Sequence, residues 1–198
     1  AHPHAAAEEE EVARLIRDRY PLFMASNGHW LGGLVRDIPD YPRPGVVFRD
    51  ITPLLGNGPA FQRCVDELVE RFADLSVDRV LGMEARGFIL AAPVAYRLGA
   101  GFIPVRKAGK LPWAVVREEY ALEYGRDKLE MHRDAIHPGE RILVIDDVLA
   151  TGGTAEATYR LVDTLGGVVV GLGFMIEIQG LGGRERLAGH RVESLATY

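Results

Sequence analysis

The sequence predicts an α/β protein: an open, mostly parallel, twisted sheet flanked by helices, with one projecting β-hairpin. Three observations carry this. Strand-like and helix-like patterns alternate from residue 77 to residue 196. The strand-like runs, such as "VVVGLGFMIEI" (168–178), are almost continuously apolar, which suits strands covered on both faces. The helical runs between them are amphipathic, and "TAEATYRLVDTLGG" (154–167) closes on glycine.

Residues 8–19, "EEEEVARLIRDR", place Val12, Leu15 and Ile16 on one helical face, with acids first and arginines later as the helix dipole favours. Residues 20–33 read as irregular. Residues 38–55 hold four prolines before Leu54, so they form an extended segment with a short strand at "GVVF" (45–48). A helix follows over 59–73, with Pro59 near its start and Phe61, Cys64, Val65, Leu68, Val69 and Phe72 on its apolar stripe. Then come a strand (77–83), a helix interrupted by Pro93 (85–99) and a strand (101–107). Residues 117–132 read as a hairpin turning at Tyr124–Gly125–Arg126–Asp127. A Pro–Gly turn leads into the strand within 137–147, the helix 154–167 and the strand 168–178. A short helix (182–189) and a last strand (191–196) complete the chain.

The chain of 198 residues, 47% hydrophobic and 26% charged, has the makeup of one ordinary globular domain. A net charge of −5 counts against a general nucleic-acid or membrane binder, though it allows a local basic pocket for a small anion. No run of 18 apolar residues is present to span a membrane. The single cysteine, Cys64, cannot form an internal disulfide and reads as a small buried hydrophobe. The opening "AHPHAAAEEEEVARL" has no apolar core of a secretory leader, so the expected compartment is the cytoplasm.

Chemistry concentrates in "LVIDDVLATGGT" (143–154). Ligands of open parallel sheets sit beyond the carboxyl ends of the strands, and Asp146 and Asp147 lie at such an end. Gly152 and Gly153 allow a tight turn that presents backbone N–H groups. The helix starting near Thr154 adds its positive end, and Thr151 and Thr154 add hydroxyls. These groups suit a phosphate. The paired acids suit hydroxyls, a magnesium ion, or both, so a sugar phosphate fits. A solvated strand end followed by an ordinary turn is the alternative. No Walker A lysine follows, and the glycines are not spaced as in a dinucleotide fingerprint.

The same stretch resembles the phosphoribosyl pyrophosphate signature of the type I phosphoribosyltransferases. Further blocks, "YPRPGVVFRDITPLL" (41–55), "GMEARGFILAAPVA" (82–95), "VRKAGKLP" (105–112) and "YALEYGRDKLEMHRDAI" (120–136), resemble the adenine-specific branch of that family. The resemblance spans about residues 34–196 in order. It implies the type I phosphoribosyltransferase fold with a hairpin lid over about 108–125 and a small hood, residues 34–198 forming one domain and 1–33 an extra N-terminal arm. It implies transfer of the phosphoribosyl group from phosphoribosyl pyrophosphate to adenine, giving AMP and pyrophosphate, with Mg2+. It also implies a homodimer in which the partner's arm approaches the site.

On this resemblance, Asp146 and Asp147 face the ribose hydroxyls and Ala150, Thr151, Gly152, Gly153 and Thr154 wrap the 5-phosphate. Mg2+ is carried by the pyrophosphate substrate, with Asp146 and Asp147 as further candidate ligands. Glu84, Ala85, Arg86, Lys107 and Lys110 form the pyrophosphate site, with a cis peptide expected at Glu84–Ala85. Val47, Phe48, Arg49 and Ile178 surround the base. Glu123 exchanges a proton at N7, alongside Arg86 and Lys107 as catalytic cations, and Tyr124 closes the lid. "GFMIEIQGLGG" (173–183) lacks the late lysine of oxo-purine enzymes, which favours adenine. The alternatives are an oxo-purine transferase acting on hypoxanthine, guanine or xanthine, and a regulator that binds phosphoribosyl pyrophosphate without catalysis. The C-terminus "RVESLATY" is shorter than in many family members.

Overall fold

The computed structural model describes residues 30–122 and 125–198. The helix expected over 8–19 and the irregular stretch up to residue 29 lie outside the described residues. The chain divides into two compact units, one ending at Arg63 and one running from Cys64 to Tyr198.

The first unit carries a two-stranded antiparallel sheet of β1 (Arg36–Pro39) and β2 (Val47–Asp50), in which Ile38 pairs with Phe48. The sequence reading had only the second of these strands, because "RDIP" is short, polar and exposed. A short helix, α1 (Thr52–Leu55), follows with Pro53 in its first turn, where a missing N–H costs nothing. Asp50 closes its entry by accepting from the Thr52 amide at 2.9 Å. Helix α2 (Gly58–Arg71) matches the expected span, and its stripe residues Cys64, Leu68 and the adjoining Phe72 are fully buried. Burial pushes the Cys64 thiol up to about 12.

The second unit is built on seven strands in the order β5-β6-β4-β3-β7-β8-β9. These are β3 (Arg79–Met83), β4 (Gly101–Lys107), β5 (Val115–Leu122), β6 (Gly125–His132), β7 (Arg141–Leu149), β8 (Val168–Glu177) and β9 (Val192–Thr197). Strands β4, β3, β7, β8 and β9 are parallel, and the β5–β6 hairpin joins antiparallel to β4 through Arg106↔Glu130 and Lys107↔Leu129. The continuous apolar runs are explained by position: Ile142, Leu143, Val144 and Ile145 of the central β7 are all fully buried.

Two expectations are corrected. Helix α3 (Arg86–Leu98) is not interrupted by Pro93 but runs through it. Its buried face of Leu90, Ala91, Val94 and Ala95 holds it on the sheet despite one lost hydrogen bond. The hairpin turns two residues earlier than expected, because Leu122 pairs with Gly125 and Tyr120 with Asp127, which places Gly125, Arg126 and Asp127 within β6. Helix α4 (Gly153–Thr164) follows β7, and the four-residue α5 (Gly183–Arg186) follows β8. Among the described residues, no helix is long and apolar enough to cross a membrane.

Candidate active site

Parallel strands β3, β4, β7 and β8 deliver their carboxyl ends to one edge of the sheet, and the loops leaving them meet there. Residues Ala150–Gly152 leave β7 and enter α4. Gly152 has φ +75°, and a Cβ built on it would lie 2.9 Å from the Gly183 carbonyl oxygen. Glycine is therefore required twice over, by backbone conformation and by space. Ala150, Thr151, Gly152, Gly153 and Thr154 line one cavity of about 70 Å³, together with Asp146. The structure thus brings together the whole stretch expected to hold a phosphate, at the N-terminus of a twelve-residue helix.

Asp146 and Asp147 stand in β7, which continues two residues past them to Leu149 instead of ending on the acids. The two side chains belong to one tight arrangement. A Cβ on Gly87, the second residue of α3, would come within 2.5 Å of Asp146 Oδ1, so α3 packs directly on that carboxyl. Burial, then the Asp147 charge, push the Asp146 carboxyl well above the ordinary carboxylate range. Burial also raises Asp147, against the pull of Arg86, whose Nη2 lies 2.8 Å from Asp147 Oδ2. Two like charges confined this way favour a ligand that brings hydroxyl donors or a cation.

Arg86 opens α3, and the Glu84–Ala85 peptide preceding it is cis, as expected. Glu84 itself faces the cations. It accepts from Arg106 Nε at 3.3 Å, from the Lys107 amide at 3.1 Å and from Lys110 Nζ. Burial would raise its pKa, but the hydrogen bonds from Lys110, Lys107 and Arg106 outweigh this and hold it below the ordinary range. The Glu84 carboxylate, which cannot attract a phosphate, gathers the cations that can.

Lys107 Nζ lies 3.2 Å from Asp127 Oδ2, and that hydrogen bond holds the ammonium above its usual range. Tyr120 Oη donates to the same oxygen at 3.4 Å, and Tyr120 and Gly153 line one cavity. The hairpin thus connects the cation strip with the neighbourhood of the phosphate loop. Asp127 and Tyr120 were not singled out by the sequence reading, which assigned Asp127 to the turn. Their partners lie on other strands, so no local pattern marks them.

The segment between β4 and β5 is tied at its root by Glu130, which is buried on β6 and accepts from the Gly109 amide at 2.8 Å and from Arg117 Nε at 2.7 Å. Burial acts to raise Glu130, but these bonds prevail and hold its pKa below the ordinary range. Glu123 and Tyr124 lie outside the described residues.

The base-side candidates fall on both units. Val47, Phe48 and Arg49 share β2 in the first, where Phe48 meets Tyr41 edge-on at 5.3 Å and Arg49 pairs with Asp37. Ile178 is half-buried in the second, its amide donating to the Leu149 carbonyl at 2.9 Å. Among the described residues, no group of three or more His, Cys, Asp or Glu side chains is placed to hold a metal unaided.

Comparison with known proteins agrees with this geometry. The family model of the phosphoribosyl transferase domain matches residues 55–186. The adenine phosphoribosyltransferase of Acidothermus cellulolyticus is 56% identical over 171 residues, covering 86% of this chain and 97% of that protein. That of Thermotoga maritima is 56% identical over 164 residues, covering 83% and 95%. The crystal structure of the Thermoanaerobacter pseudethanolicus adenine phosphoribosyltransferase superposes with a TM-score of 0.85 at 44% identity, covering 87% of this chain and all of that one. The Saccharomyces cerevisiae adenine phosphoribosyltransferase, solved with an imino-altritol bisphosphate and adenine, gives 0.80 at 35% identity, covering 85% and 97%. By sequence, fold and site, this chain belongs to the phosphoribosyltransferase family, in its adenine phosphoribosyltransferase branch.

Proposed function

We propose that the chain transfers the 5-phosphoribosyl group of phosphoribosyl pyrophosphate to adenine, forming AMP and pyrophosphate in purine salvage. One observation carries this reading. A glycine-walled phosphate loop, an adjacent acid pair and a strip of cations share the carboxyl edge of one parallel sheet. The substrate has the matching order of groups: a 5-phosphate, two ribose hydroxyls and a pyrophosphate. The adenine preference is supported by relatives 55–56% identical that carry that name.

In this reading Ala150–Thr154 hold the 5-phosphate by backbone amides and the Thr151 and Thr154 hydroxyls. Asp146 and Asp147 accept from the ribose hydroxyls, which fixes the ring so that its anomeric carbon points toward the cations. Adenine N9 attacks that carbon as its bond to the pyrophosphate oxygen breaks. The departing charge is met by Arg86, Lys107 and Lys110, which exchange their internal carboxylates for phosphate oxygens. Val47, Phe48 and Arg49 are the base-binding residues of the first unit, and Ile178 is that of the second. The lid over 108–125 shuts out water, which would otherwise capture the cationic carbon. Glu123 takes the N7 proton, and Tyr124 closes onto the ligands.

The acid pair fits a magnesium ion, because a divalent cation relieves the mutual repulsion that raises both carboxyls. Two adjacent carboxylates are too few for a cage of their own, so Asp146 and Asp147 would hold an ion carried by the pyrophosphate substrate. When bound, it neutralises charge on the leaving group. We also propose a homodimer. Ile89 and Tyr96 on α3 and Phe102 on β4 are 41%, 86% and 37% exposed, and a second copy is the fitting cover for such a face.

The test is release of pyrophosphate from phosphoribosyl pyrophosphate with adenine, hypoxanthine, guanine or xanthine in turn. Saturable turnover with adenine is expected. Turnover with hypoxanthine but not adenine overturns the assignment, and binding of phosphoribosyl pyrophosphate without turnover of any base identifies a regulator. Replacing Glu123 by alanine is expected to lower kcat by about 10²-fold, the usual loss when a general base is removed. An unchanged rate removes Glu123 from that role.

A further inference from the structure

Beyond the residues that meet substrate in the proposed reaction, the edge of the sheet carries a brace. Glu177 is the last residue of β8 and is 8% exposed, although it is a carboxylate. Arg184, in α5, closes on it with Nε at 2.9 Å from Oε1 and Nη2 at 2.5 Å from Oε2. Arg184 Nη1 donates to the Val192 carbonyl at 2.9 Å, and the Ser194 hydroxyl donates to Glu177 Oε2 at 2.8 Å. One guanidinium thus ties α5, β8 and β9 together. The two-pronged, half-buried geometry exceeds a loose surface ion pair in both rigidity and strength.

The neighbours of this pair in the chain give it a consequence. Ile178, the residue after Glu177, is anchored to the carbonyl of Leu149, the last residue before the phosphate loop. Gly183, the residue before Arg184, lies backbone against backbone on the loop itself. A Cβ on Gly183 would collide with the Ala150 carbonyl, and one on Gly152 would come within 2.9 Å of the Gly183 carbonyl. The three atoms nearest a Cβ built on Gly152 all belong to α5, two of them on Gly183 and one on Arg186. The loop between Ile178 and Gly183 contains Gly180 and Gly182 with φ near +79° and +73°, so its own stiffness does not hold Gly183 in place.

We propose that Glu177 and Arg184 are positioning residues for the phosphate loop. They fix Gly183 as a backstop that holds Ala150–Gly152 in the shape that receives the 5-phosphate. They act through Gly183 and touch no substrate. This inference rests on the function proposed above, because it assigns the loop a phosphorylated ligand.

The experiment measures ribose 5-phosphate binding by calorimetry, alongside steady-state kinetics, for wild type, Arg184→Ala, Arg184→Lys and Gly183→Ala. Ribose 5-phosphate probes the loop without the leaving group or the base. Arg184→Ala is expected to weaken its binding about 10-fold and to raise KM for phosphoribosyl pyrophosphate similarly, while kcat at saturation changes less than 3-fold. Arg184→Lys keeps the charge but loses the fork, so it restores only part of the affinity. Gly183→Ala leaves the ion pair intact yet pushes on Ala150, so it reproduces the loss and covers the case in which Arg184→Ala does not fold. A folded Arg184→Ala with wild-type affinity for ribose 5-phosphate overturns the proposal, as does a Gly183→Ala with unchanged KM. If the wild-type chain neither binds ribose 5-phosphate nor turns over adenine, the parent reading falls, and the brace falls with it.

Discussion

Replacing Arg86 by alanine is expected to lower kcat/KM for phosphoribosyl pyrophosphate by about 10²–10³-fold, the usual cost of removing one charge-stabilising donor from a developing anion. The same change strips Asp147 of the guanidinium 2.8 Å away and leaves a carboxylate that is 5% exposed without that partner. Removing one member of a buried pair is more costly than removing both. Arg86 is over a third exposed on its own side, so the stability loss is expected to be about 1–2 kcal/mol, below the range for fully buried pairs. Its pH dependence has a definite sign. Burial already raises Asp147 above its unfolded value, and losing Arg86 raises it further. A group raised in the folded state contributes stability below its unfolded pKa and loses it as pH rises through the folded pKa. The difference in melting temperature between wild type and Arg86→Ala is therefore expected to widen as pH rises above the ordinary carboxylate range. The double variant Arg86→Ala/Asp147→Ala is expected to recover stability but not activity. A double variant as unstable as the single one would show that the pair is not what holds this edge together.

The second large effect is expected at Gly152. An alanine there meets two penalties, a left-handed φ of +75° and a Cβ 2.9 Å from the Gly183 carbonyl oxygen. The first costs about 1–2 kcal/mol, and relief of the second moves the phosphate loop itself. KM for phosphoribosyl pyrophosphate is expected to rise by about 10²-fold, which corresponds to about 2.7 kcal/mol. Gly139 provides the control. Its φ is +86°, nothing lies within 4 Å of its built Cβ, and it sits before the opposite end of β7. Gly139→Ala is expected to lose about 1 kcal/mol of stability with KM unchanged. Equal KM effects from the two variants would locate the cause in general destabilisation and not in the loop.

The legible parts of this molecule were those whose signal is local. Strands β3, β7 and β8 announced themselves because burial on both faces demands unbroken apolar runs. The phosphate loop did so because a tight turn needs glycine and a sugar needs acids, and both stand within twelve residues of one another. β1 was illegible because four mostly exposed residues carry no periodicity. The passage of α3 through Pro93 was illegible because packing by Leu90 and Val94, a tertiary effect, overrides the local cost of proline. The hairpin turn lies two residues from its expected place because register is set by cross-strand pairs such as Glu119↔Lys128, not by the turn residues alone. In the site, the turning of the Glu84 charge toward Arg106 and Lys110 is not legible locally, because these come from another strand and its loop. Asp127, Glu177 and Arg184 went unnoticed for the same reason: each acquires its meaning from a residue that only the fold brings near.

Cys64 offers one further consequence. It is the only thiol in the chain, fully buried on α2, and burial holds it at about 12, so the folded protein at neutral pH has almost no thiolate to offer. An alkylating reagent can react only with molecules in which the burial of Cys64 has opened. The rate of labelling therefore counts opening events of the core, without any probe having to be attached. Compared with and without ribose 5-phosphate, that rate reports how far a ligand at the sheet edge steadies the surroundings of Cys64.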